Sequence, residues 1–256
     1  SSATSTSLSR ANCRLMGQIQ VEPNSVESWK IAENYAGLLG EIPPFFSSAV
    51  RVLRAQKGDV DERGYTDVSQ SLVIGILKSP GLFVPSLHAA LELRPGDVDS
   101  IANPRDIKPF HMLKLFSAEE MASLVATVFL FRRITKKLED SDEWGRLLPL
   151  IIPQLEVGTQ LGLAIPKIGA GRGMILGCIR YLALALILSH DEKNFVPYRR
   201  RLEKEGILCD LDFESKQWGC THLQLGATLL QHLGFGRDAA TGLSVGLAVE
   251  DVDAVE

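Results

Sequence analysis

Apolar residues along this chain recur every three or four positions, and nowhere do they alternate in the period-two pattern of a half-buried strand. The densest apolar run is Gly173–Ser189, GMILGCIRYLALALILS, in which Arg180 carries the one formal charge. A span needs about 20 apolar residues, and this run has a charge at its middle, so it reads as a buried central helix rather than a membrane helix. GAGRG at 169–173 reads as the linker feeding that helix, and His190-Asp191-Glu192 as its stop.

The other segments read as helices packed around this one. Ser25 is placed to cap a helix whose inner face holds Trp29, Tyr35, Leu38 and Leu39, with Gly40 as its C-terminal cap. Pro43-Pro44 opens a second helix with Phe46, Val50, Val52 and Leu53 inward. Thr66 caps a third that runs to Leu77, and Pro80–Leu93 forms a fourth. Arg94–Asp106 lacks a period and carries the turn signals Pro95-Gly96 and Asn103-Pro104. Ile107, Met112 and Leu115 mark a short packed helix, and Ser117 to Glu120 form a capping box ahead of a helix to Leu138. From Asp142 a long apolar segment reaches Ile165, where Pro149 and Pro153 predict a helix start or a kink. Asn194–Gly206 turns Phe195, Tyr198 and Leu202 inward, leaving Arg199-Arg200-Arg201 on a solvated face. A stretch holding Trp218, His222, Leu225, Leu229 and Leu233 ends at Gly234, and a last helix covers about 237–248.

The pattern predicts an all-α protein in two packed helical lobes, about 25–140 and 141–248, around the central helix. Residues 1–24 read as a loosely ordered arm and 249–256 as an acidic tail. Residues 1–12 are polar and lack the apolar region of a signal peptide.

Composition narrows the function classes. The chain has 256 residues, of which 45% are hydrophobic and 23% charged. That is enough to bury a sizeable core. A net charge of −4 supplies no global field for nucleic acid or an anionic membrane, so neither is expected as a partner. Cys13, Cys178, Cys209 and Cys220 show no CxxC spacing, which suits a reducing cytoplasm and free thiols. Asp59-Val60-Asp61-Glu62-Arg63-Gly64 has the outline of an EF-hand start. Arg63 and Gln70 stand where oxygen ligands belong, so the segment reads as a solvated loop.

Two segments carry a family resemblance. Glu214-Ser-Lys-Gln-Trp-Gly219-Cys-Thr-His222, followed by Gly226-Ala227 and Leu229-Leu230, resembles a signature of HDOD domains, the HD-related output domains of bacterial signalling proteins. MILGCIRYLAL at 174–184 is similar to the segment GLLHDIGRLAL of catalytic HD relatives, with Gly177-Cys178 in the His-Asp slot. Ile42-Pro43-Pro44 and Ser79-Pro80-Gly81-Leu82 match weaker landmarks, so the resemblance covers about 41–248. It implies a degenerate HD site formed by Gly177, Cys178, Glu214 and His222, without a metal or cofactor. In catalytic relatives the doublet supplies metal ligands, and glycine supplies none. His190-Asp191 lies thirteen residues on and reads as a helix-stop pair rather than a shifted motif.

The resemblance therefore implies a non-catalytic output or protein-interaction module with a protein partner in signalling. One alternative is a divergent metal-dependent phosphohydrolase using His222, Glu214, His190 and Asp191. The other is a regulator holding a nucleotide or other small molecule through Arg172 and Arg180. At His222 a hydrogen-bonded helix-face histidine stands against a ligand. At Glu214 an ion pair or cap stands against a general base.

Overall fold

A computed structural model describes residues 25–55, 59–101 and 103–246. The N-terminal arm, Cys13 and the acidic tail lie outside the described residues. The described chain is all-helical, with no strand. Its helices are α1 (Val26–Gly37), α2 (Pro44–Ala55), α3 (Asp67–Leu77), α4 (Pro80–Leu93), α5 (Pro95–Ile101) and α6 (Pro109–Leu115). After these come α7 (Ala118–Thr135), α8 (Asp142–Ala164), α9 (Ala170–His190) and α10 (Glu192–Glu205). The last three are α11 (Leu211–Trp218), α12 (His222–His232) and α13 (Gly236–Gly246).

The caps are made by the residues the pattern marks. Ser25, Thr66 and Ser117 each accept the backbone N–H three residues on, and Glu120 closes the α7 capping box. α1 stops three residues before Gly40, which adopts φ +77° in the following turn. Val52, expected inward, is exposed, while Phe46, Val50 and Leu53 are buried.

Three segments differ from expectation. Pro95-Gly96 opens α5 instead of a loop, because proline fits the first turn, where its missing N–H has no partner to lose. The GAGRG segment is mostly helix: α9 begins at Ala170, and only Gly169 lies outside it. α8 runs unbroken through Pro149 and Pro153. Both prolines are exposed, so the carbonyls they leave unbonded can meet water.

α9 is the centre of the molecule. Ile179, Leu182, Ala183, Leu186 and Ile187 are fully buried, and α7, α8 and α12 pack on different sides of it. By length and composition alone α8 and α9 could each cross a membrane; 67% of the apolar window of α9 is buried inside the fold, against 33% for α8. The α8–α9 contact is backbone to backbone. A Cβ on Gly158 would overlap the Gly173 carbonyl and come within 3.0 Å of the Gly177 Cα. Gly162 meets the backbone of Gly169 and Ala170 in the same way. Glycines four apart on both helices leave a side-chain-free strip along which the two can touch.

The lobe boundary expected near 141 falls between α7 and α8, and one hydrophobic core continues across it. α1 packs on α12, where Gln224 Nε2 donates to Ser28 Oγ at 2.8 Å. Gly234, at φ +94°, comes so close to α2 that a Cβ would press on the Ser47 carbonyl.

Candidate functional site

Glu214 and His222 come together in the interior. Asp210 caps α11 through the Phe213 N–H, and Thr221 caps α12. The intervening turn, with Gly219 at φ +73°, folds α12 back so that its first residue faces the side chain of Glu214. Glu214 is 0% exposed and His222 1%. A buried carboxylate is tolerated only with its oxygens hydrogen-bonded, and here they are. Oε2 accepts the His222 backbone N–H at 2.7 Å, and the His222 ring Nδ1 lies 2.7 Å from Oε2 and 2.9 Å from Oε1. Facing an acceptor-only carboxylate, Nδ1 is the protonated nitrogen.

The third partner is Tyr198 on α10, whose hydroxyl donates to Glu214 Oε1 and accepts the Asp210 N–H at 3.2 Å. Burial, and then the neighbouring Glu214, push the Tyr198 phenol well above its ordinary range, so it remains a donor. Glu214 thereby joins α10, α11 and α12 and supplies a carboxylate at the positive end of α12.

Gly177 and Cys178 play a different part. Gly177 faces α8, where a Cβ would overlap the Gln154 carbonyl. Cys178 turns to α7: its Sγ lies 3.4 Å from Thr127 Oγ1 and donates to the Ile175 carbonyl at 3.4 Å. Burial pushes its thiol up to about 12, so it is neutral at physiological pH. Gly177 and Cys178 are thus a packing glycine and a core thiol. This donor set does not fit a hydrolytic divalent metal, which needs about three protein ligands and an open position. Among the described residues no group of three or more His, Cys, Asp and Glu side chains is placed to hold a metal ion.

His190 and Asp191 are engaged elsewhere. His190 is exposed at the end of α9, edge-on to Tyr35 with ring centroids 5.1 Å apart. Asp191 caps α10 and accepts the Trp218 indole N–H at 3.0 Å, the stop-pair role its position suggests. The EF-hand-like loop uses Asp61 Oδ1 to accept the N–H groups of Arg63 and Tyr65, each at 2.9 Å, so that oxygen closes a turn.

Arg172 and Arg180 are not one site. Arg180 donates to the Leu208 carbonyl. Arg172 stands more than two turns earlier on α9 and pairs with Glu119 at 3.1 Å. Of the arginine run, Arg199 reaches the buried Glu143 at 2.6 Å and Arg201 pairs with Asp210, so only Arg200 is left fully outward.

Sequence reasoning missed Tyr198 as a partner of Glu214, having placed it only on an apolar face. It also missed the interhelical glycines, although their spacing of four (158/162 and 169/173/177) was a readable signal. Compared with protein-family profiles, curated proteins and solved structures, the chain finds no match in any of the three.

Proposed function

We propose that this chain is a non-catalytic, HDOD-like output module that acts in a bacterial cytoplasm by binding a protein partner in signalling. The observation that supports this most is that all four residues of the HD-like pattern hold helices together. Gly177 seats α9 on α8, Cys178 packs α9 on α7, and the Glu214–His222 pair locks α11 to α12. None of the four lines the cleft at α3 and α6, the cavity at α9 and α13 or the cleft at α1 and α12.

A surface suited to a partner is available on α8. Leu150, Val157 and Leu161 are 41%, 50% and 56% exposed. Their spacing of seven and four places them on one helical face. A row of exposed apolar residues is the kind of surface protein contacts use.

The test combines interaction and chemistry. Val157→Lys with Leu161→Lys should abolish cross-linking of the chain to its partner in cells while leaving its helical circular dichroism unchanged. Purified protein with added Mn, Fe, Ni or Zn should not hydrolyse phosphodiesters above the uncatalysed rate. Metal-dependent turnover, or a cross-linked partner unaffected by the lysines, would count against the reading.

A further inference from the structure

Between the first turns of α9 and α13 lies a cavity of about 390 Å³. Its polar lining is cationic: Arg54 from α2, Lys167 from the α8–α9 loop, Arg172 from α9 and Arg237 from α13. Among the described residues no carboxylate lines it. Its apolar lining includes Ile168 and Leu176, both partly exposed, with the buried Ile175 and Phe235 behind them.

The cations are held in different ways. Arg54 donates to the Phe235 carbonyl and stacks over the Phe235 ring at 4.9 Å, which fixes its guanidinium at the wall. Arg172 is partly neutralised by Glu119. Among the described residues Lys167 and Arg237 have no ion-pair partner. First-turn residues of both α9 and α13 border the cavity, so the positive ends of two helices lie beside it. Lys167 and Arg237 thus bring two positive charges without a described counter-charge to the border of one small space, where an anion would be attracted by both. The cavity, near 390 Å³, is large enough for a small molecule.

The geometry points to a binding site for an organic phosphate the size of a nucleoside monophosphate, its phosphate on Lys167, Arg172 and Arg237 and its apolar body against Ile168 and Leu176. None of Gly177, Cys178, Glu214 or His222 takes part, so this site does not depend on the interaction-module reading.

Isothermal titration of the purified full chain with AMP and GMP tests it, alongside inorganic phosphate, adenosine and phosphatidylglycerol vesicles. At least one monophosphate should bind at one per chain, more tightly than inorganic phosphate, and adenosine should not bind. Affinity should fall as salt is raised. Lys167→Gln and Arg237→Gln, both at exposed side chains, should each weaken binding about tenfold or more, since each removes a charge-assisted contact. Arg200→Gln, elsewhere on the surface, should leave it unchanged. Absence of binding by both monophosphates would overturn the site. So would binding indifferent to Lys167→Gln and Arg237→Gln, inorganic phosphate binding as tightly as AMP, or the same cations serving only vesicle binding.

Discussion

Glu214 Oε2 accepts both the backbone N–H and the ring Nδ1–H of His222, each at 2.7 Å, so one carboxylate caps α12 and orients its first side chain. Removing one partner of such a buried pair strands the other without its hydrogen bonds. Glu214→Ala and His222→Ala should each lower stability by about 3–5 kcal/mol. In urea titrations the double variant should lose clearly less than the sum of the two, because the partners are coupled. Additive losses, or no measurable loss at either position, would show that the pair does not hold the fold.

The α8–α9 contact depends on glycine. Gly158→Ala and Gly173→Ala each place a methyl group into the facing backbone, which cannot yield as a flexible side chain would. Each should cost about 1–3 kcal/mol or more. Gly145→Ala is the internal control on α8, since a Cβ there meets nothing within 4 Å. It should be neutral or stabilising by up to about 1 kcal/mol through helix propensity alone. Equal effects at the three positions in thermal denaturation would contradict the close approach.

The central position of α9 has its own test. Leu182 and Leu186 are fully buried. Truncating either to Ala should therefore cost about 2–5 kcal/mol by chemical denaturation. Negligible losses at both would make α9 peripheral.

The sequence carried the helical class, most helix starts and the identity of the central helix, because those rest on local signals. Ser25, Thr66 and Ser117 are short hydrogen-bonding side chains placed ahead of apolar periods, and capping is decided within a single turn. What escaped was decided by tertiary surroundings. Whether Pro149 and Pro153 break α8 depends on which side of the helix they occupy, and exposure lets the helix continue. Trp218 and His222 read as one helix because their apolar spacing fits one. Gly219 and the Thr221 cap instead divide it, and that division brings His222 onto Glu214. The hydrogen-bonded form of His222 was legible as one of two readings. Tyr198, sixteen residues before Glu214 on another helix, gave no sign beyond its place on an inner face.

The buried thiols make an alkaline prediction. Burial pushes both Cys178 and Cys220 up to about 12 from an ordinary 9.0. Between these values the unfolded chain has lost the thiol protons while the folded chain keeps them. Stability is therefore fully present below about pH 9 and falls as pH rises, by up to about 1.4 kcal/mol per unit for each thiol. Cys178→Ala and Cys220→Ala should flatten the urea midpoint between about pH 9 and 11, whatever they do to its level at lower pH. In the native protein at neutral pH neither thiol should react with a disulfide reagent, whereas the unfolded chain should titrate four without reductant. Two titratable thiols would indicate a native disulfide.

The central claim is that Gly177, Cys178, Glu214 and His222 are structural and hold no metal, and stability against added metal tests it most directly. A ligand that binds only the folded chain stabilises it by about 2.7 kcal/mol at 100 times its Kd. We expect the urea midpoint of the chelator-treated protein to be unchanged by saturating Mn²⁺, Fe²⁺, Ni²⁺ or Zn²⁺. A saturable rise at one metal per chain, absent from Glu214→Gln protein that still folds, would contradict the account.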